Sequence, residues 1–174
     1  MARRKAKEAT AAYLERVALW YLARYPGSVA RVRQALDKRV ARSVEELGTS
    51  PEAGAQAAEE VIAGLLRTGL LDDERFATQR VAALRARGLS KRMIESKLRQ
   101  QGIAATVVVR AVEDAEVDEL SAARTFARKR RPGPHRRRAP EDAEAARQLR
   151  DKELAKLARA GFSFGFARRV LDED

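Results

Sequence analysis

Three kinds of residue in this chain could do chemistry, and their surroundings decide which chemistry it is. The single histidine, His135, sits in an arginine-rich stretch whose nearest acid is Glu141. A general base needs an orienting partner and a tuned pKa, and that stretch offers neither. Acidic pairs recur at Asp72-Asp73 and Asp118-Glu119, each ahead of an apolar helical stripe. Carboxylates so placed accept orphan N–H bonds and meet the positive end of a helix dipole. Capping therefore outranks metal binding or catalysis. The third kind is basic: between Arg124 and Arg138 eight bases occur without one acid. Such a run suits phosphates or acidic protein surface. Walker A, G-x-G-x-x-G and H-E-x-x-H patterns are missing. The reading is of a binding protein with no catalytic residue, no metal site and no cofactor.

The elements that would carry these residues are helical. The chain has 174 residues, 45% hydrophobic but only 5% aromatic, so much of its apolar content is alanine. Charged residues make up 35%, with ten Gly and five Pro. Too little turn chemistry is present for a many-stranded fold, and the composition favours helix. The formal net charge of +11 points to polyanionic partners, nucleic acid first. No cysteine is present, which suits a reducing cytoplasm. No apolar run approaches the ~20 residues needed to span a bilayer, and MARRKAKEAT lacks the apolar core of a signal peptide. A cytoplasmic protein with no membrane partner is expected.

Along the chain, apolar residues recur at helical spacing. Leu14, Val17, Ala18, Tyr21, Leu22 and Tyr25 make one stripe, stopped at Pro26-Gly27; Trp20 lies beside it, better read as packing than as base stacking. Val29, Val32, Leu36, Val40, Val44 and Leu47 follow a Ser28 cap, and Val61, Ile62, Leu65 and Leu66 precede Gly69. Ala77, Val81 and Leu84 follow Asp72-Asp73; Met93, Ile94 and Leu98 follow Ser90. Val107 to Val109 favour a strand locally, but no second strand exists to pair with, so a helix is predicted. After the acidic stretch 113–119 come Ala122, Ala123 and Phe126, a proline-rich basic loop, and helices carrying Leu149, Leu154 and Leu157, then Phe166, Val170 and Leu171.

These segments repeat. Gly102 and Ile103 match Gly161 and Phe162 at a shift of 59, and Asp72-Asp73 match Asp118-Glu119 at a shift of 46, leaving 13 inserted residues in the last copy. Leu22, Ser28 and Leu36 match Leu84, Ser90 and Leu98 at a shift of 62, whereas Val61-Ile62 match Val107-Val108 at 46, leaving 16 in the first. The expected architecture is all-α: three tandem three-helix repeats forming an elongated, curved, right-handed-type helical array. Its parts are a basic, disordered N-terminus (1–9), repeat 1 (10–71, insertion about 45–56), repeat 2 (72–117) and repeat 3 (118–174, basic insertion about 130–141).

With the segments LLDDERFA (Leu70 to Ala77), RGLSKRMIESKLRQQGI (Arg87 to Ile103) and AGFSFGFARRVL (Ala160 to Leu171) in this order, the chain resembles the RecX family of bacterial modulators of the RecA recombinase. The positions matching its motifs are Asp72, Asp73, Phe76, Ala77, Gly88, Ile94, Leu98, Gly102, Ile103, Gly161 and Phe162, to which the resemblance assigns structural roles. The first unit departs most: SVARVRQALDKRV lacks the usual acidic-leucine pair. The resemblance implies a non-enzymatic regulator in DNA repair, homologous recombination and the SOS response. It would lie in the helical groove of the RecA filament, contact single- and double-stranded DNA, and reduce ATP hydrolysis, coprotease activity and strand exchange, limiting filament growth. A monomer is expected. The candidate binding surface is basic: Lys91, Arg92, Lys97 and Arg99, then Arg128, Lys129, Arg130, Arg131, Arg136, Arg137 and Arg138, the last group placed in the loop. Two other readings compete: a stand-alone DNA- or RNA-binding protein independent of RecA, and a helical-repeat adaptor for another protein.

Overall fold

The computed structural model describes residues 5–116, 118–136 and 138–173, and among them the chain is all helical. The first group is α1 (Ala11–Leu22), α2 (Val29–Leu47) and α3 (Pro51–Arg67). The second is α4 (Asp73–Ala86), α5 (Lys91–Gln100) and α6 (Ala105–Asp114). The third is α7 (Glu119–Arg130), α8 (Ala143–Arg159) and α9 (Phe164–Leu171). A short 3-10 helix, Gly133–His135, interrupts the proline-rich connection before α8. Contacts divide the chain into two compact units, Met1–Phe76 with Gln101–Ile103, and Ala77–Gln100 with Ala104–Asp174.

Most helices start where the sequence supplies a side-chain acceptor, α6 with Ala104 at its N-cap being an exception. Thr10, Ser28, Ser50, Asp118, Asp142 and Ser163 cap α1, α2, α3, α7, α8 and α9. The buried stripes are those of the sequence, narrowed: Leu14 and Ala18 on α1, Val32, Leu36 and Val40 on α2, Val61, Ile62 and Leu65 on α3. Tyr25, Leu47 and Leu66, assigned to stripes by spacing, are exposed. Tyr25 lies past the end of α1 and Leu47 is the last residue of α2. Ala77, Val81 and Leu84 on α4, and Ile94 and Leu98 on α5, are fully or almost fully buried. The valines at 107–109 belong to α6, where Val108 is buried with Ala111 and Val112. Before α1, Ala9 is already buried and its N–H donates to Ser43 Oγ at 3.1 Å.

The extra chain of the first group goes into helix rather than loop. α2 has 19 residues and α3 has 17, against 10 each in α5 and α6.

Two joints of the same construction lie one in each unit. In the first, the fully buried Ser28 hydroxyl accepts from Arg31 N–H and donates to the carbonyl of Gln101. Asp73 Oδ1 accepts the next free N–H, that of Val29, at 2.9 Å. In the second, the buried Ser90 hydroxyl accepts from Met93 N–H and donates to Ala160 O at 2.7 Å, and Glu119 Oε1 accepts from Lys91 N–H. Each acidic pair is thereby divided in labour. Asp72 takes Arg75 N–H and Asp118 takes Leu120 N–H, on their own helices. The second acid of each pair instead satisfies an orphan N–H on the preceding group's second helix. The glycine after each accepted carbonyl, Gly102 or Gly161, has positive φ (77° and 89°). A Cβ there would collide with Ala30 Cβ or with Ser90 Oγ. On α1 the position matching Asp73 is Ala11, which has no side-chain acceptor.

Candidate functional site

Arg87 after α4, Lys97 on α5, and Lys129 and Arg130 in the last turn of α7 line one cleft of about 510 Å³, together with Leu89, Met93 and Phe126. The turn that begins it depends on Gly88. Its φ is 78°, and a Cβ would come within 2.8 Å of Phe126 N and 2.9 Å of Thr125 Cγ2. Only glycine lets the chain pass that close to α7. The Phe126 ring is held edge-on by Phe162, centroids 5.7 Å apart. Lys129 Nζ donates to Ala86 O, at the C-terminus of α4, at 2.9 Å, where the helix dipole favours a cation. The cleft thus joins cations from α5, α7 and the turn after α4 to an apolar and aromatic wall, a chemistry suited to phosphates with stacked or apolar groups between them.

The other candidates divide into exposed and committed groups. Lys91 and Arg92 are exposed at the start of α5, and Arg99 pairs with Glu95 at 3.2 Å. Arg128, Lys129 and Arg130 complete α7 rather than joining the loop, and Arg128 reaches Thr125 Oγ1 at 3.4 Å. Arg131 closes α7 in the left-handed conformation, φ 58°. Arg136 is spent internally. Its Nε and Nη2 donate to both oxygens of Glu153, at 2.8 and 2.5 Å, and Glu153 is buried on α8. That bond holds the guanidinium pKa above its ordinary value. Without Arg136 the carboxylate would be left buried and unpaired, the costly way to break such a pair. Arg138 is exposed, and Arg137 lies outside the described residues.

Sequence reasoning missed a second basic cleft, in the first unit. Trp20, read as packing, is 54% exposed. With Tyr13, Arg16 and Val17 of α1, Arg39 and Arg42 of α2, and Lys5 to Lys7, it lines a cleft of about 620 Å³. The spacing 13, 16, 17, 20 was a usable signal: one helical face, adjacent to the buried face at 14 and 18 but distinct from it. It lacked only knowledge of what α2 covers.

The family model for the second three-helix domain of RecX matches residues 72–112, the stretch that holds α4, α5 and most of α6. Over 173 residues the chain is 42% identical to regulatory protein RecX of Myxococcus xanthus, covering 98% of this chain and 90% of that one. The chain belongs to the RecX family. RecX of Agrobacterium fabrum is 38% identical over 101 residues, 58% of this chain and 51% of that protein. A crystal structure of a regulatory protein RecX superposes with a TM-score of 0.62 at 20% identity, covering 94% of this chain and 72% of that one. That likeness establishes the shared all-helical RecX fold. Among the described residues no helix is long and apolar enough to cross a membrane.

Proposed function

We propose that this chain binds RecA filaments assembled on DNA, contacting both protein and nucleic acid, and lowers their ATPase, coprotease and strand-exchange activities by limiting filament growth. Membership of the RecX family over nearly the whole chain carries the reading. The cleft of Arg87, Lys97, Lys129 and Arg130 supports it, because it gathers four cations where a phosphate or an acidic surface can meet them together. The net charge of +11 adds long-range attraction to a filament that contains DNA. Of the candidate surface, Lys91, Arg92, Lys97, Lys129, Arg130 and Arg138 are proposed to contribute, and Arg136 to serve the fold instead.

RecA ATPase on single-stranded DNA, titrated with this protein below stoichiometry, tests the reading. Inhibition is expected, and the Lys97→Glu, Arg130→Glu double variant should relieve it while melting like the parent chain. Unchanged ATPase at every ratio would overturn the proposal. Capture of RecA from nuclease-treated lysate separates it from a DNA- or RNA-binding role independent of RecA, in which all association is lost with the nucleic acid.

A further inference from the structure

We propose that the cleft beside Trp20 is a single-stranded nucleic-acid site, in which an unpaired base stacks on the Trp20 ring and the flanking phosphates meet Lys5, Lys7, Arg16 and Arg39. Four observations converge on one occupant. Trp20 is the only tryptophan of the chain and leaves 54% of its surface in solvent, although α1 has a buried face one step away at Leu14 and Ala18. It is no isolated surface hydrophobe, since Tyr13 and Val17 line the same cleft. Its ring is already used as a platform: the Arg24 guanidinium stacks on it, 4.2 Å from the centroid, and Arg24 is not part of the cleft wall. Finally, five basic side chains, Lys5, Lys7, Arg16, Arg39 and Arg42, surround the cleft.

The charges facing the cleft are unequal in their commitments. Arg42 holds Glu46 with Nε 2.8 Å from Oε1, which keeps the guanidinium pKa above its ordinary value, with Glu45 a smaller influence. Lys7 Nζ lies over the Tyr13 ring, 5.9 Å from its centroid. Lys5, Arg16 and Arg39 are exposed. Those cations can release condensed counterions from a phosphate backbone, the source of salt-dependent affinity. The aromatic face does what charge alone does not: it offers stacking to any base, whatever its sequence. In a duplex the base faces are already covered by their neighbours, so only an unpaired strand can use Trp20. An acidic peptide would use the cations and leave the ring idle.

This proposal gives a defined place to the DNA contact in the function proposed above and rests on that part of it. No recombinase enters the test, so its failure and that of filament regulation are separable. The full chain is titrated at low salt with oligothymidylate of about ten nucleotides, within the span of single-strand sites, and Trp20 emission is followed. Matched titrations use a duplex of that length, an abasic oligomer and polyglutamate. Oligothymidylate should quench the emission and bind roughly tenfold more tightly than the abasic strand, as one lost stacking contact requires. The duplex and polyglutamate should leave the emission near its starting value. By anisotropy of a labelled oligomer, Trp20→Ala should weaken binding about tenfold and Trp20→Phe should restore most of it. Unchanged emission at saturating oligothymidylate, equal quenching by the duplex, or equal affinity for the abasic strand would each overturn the proposal. Quenching by polyglutamate with displacement of the oligomer would assign the cleft to an acidic peptide instead and overturn it too. The emission readout needs no variant, so a folding defect in Trp20→Ala leaves the test intact.

Discussion

The joint at Ser28 and the joint at Ser90 solve one problem with partly different residues. In both, a buried serine caps its own helix and donates its hydroxyl to a carbonyl about seventy residues on, Gln101 or Ala160. In both, an acid takes the first free N–H of that helix, but the acid is aspartate in one and the longer glutamate in the other. The glycines differ in what constrains them. Gly102 faces Ala30 Cβ, which has no rotamer to change, whereas Gly161 faces a serine hydroxyl that can turn away only by giving up its two bonds. What persists between the joints is the set of satisfied backbone groups, more than the side chains that satisfy them.

The largest test concerns the cores that the joints hold together. Leu36 and Leu98 occupy matching positions and both are fully buried. Leu36→Ala and Leu98→Ala should each cost about 2–5 kcal/mol, measured as shifts in the urea midpoint. A loss at one and none at the other would break the equivalence of the two helices.

Next in size are the glycines. Gly102→Ala and Gly161→Ala should each cost about 2–3 kcal/mol, of which roughly 1–2 is the left-handed backbone and the remainder the collision. The rescue distinguishes the joints. Ala30→Gly should recover part of the loss at Gly102 and nothing at Gly161. Recovery at both sites, or at neither, would show that the collisions do not act through these neighbours.

Ser28→Ala and Ser90→Ala come third, at about 1–2 kcal/mol each, combining a lost N-cap with a carbonyl deprived of its donor. Threonine keeps the hydroxyl and should recover much of the loss, wherever its methyl can be accommodated. Equal midpoints for alanine and parent would mean that water replaces the hydroxyl.

Legibility of these features followed the range of the interaction. The stripe Ala77, Val81, Leu84 was readable because periodicity is local, and the matching glycines were readable because a left-handed turn selects its residue type. Ser28 and Ser90 were readable as caps, yet their second bonds span 73 and 70 residues. The acidic pairs were half read, since the adjacent acids of each pair turned to different helices. Arg136 and Arg138 are alike in sequence, and only Glu153, 17 residues beyond Arg136, separates a structural tie from an exposed charge. Trp20 went astray because its stripe and the buried one overlap within a single turn. Which of the two is covered depends on α2 and on the segment before α1.

The smallest effects belong to pH, and they carry opposite signs in two places. Burial holds the Asp73 carboxyl above its ordinary pKa, against the Val29 N–H that lowers it, with Asp72 adding to the rise. A raised folded-state pKa means that the folded form holds the proton more tightly. This group's contribution is therefore fully present below the unfolded pKa of about 4 and is lost as pH rises through the folded value. Asp73→Asn keeps an acceptor for Val29 without the charge, so it should gain stability relative to the parent as pH rises through that window. Asp172 and Glu173 behave in reverse. Hydrogen bonds from Arg150 and Arg124 hold their pKa values down, so the stability they bring is present above the unfolded carboxylate pKa and is lost as pH falls through the lower folded value. Glu173→Gln should flatten only that acid-side loss. Urea midpoints for the three chains across pH 3 to 7 would settle the signs, and parallel curves for the parent and Asp73→Asn would show that the buried end of the first joint carries no charge cost.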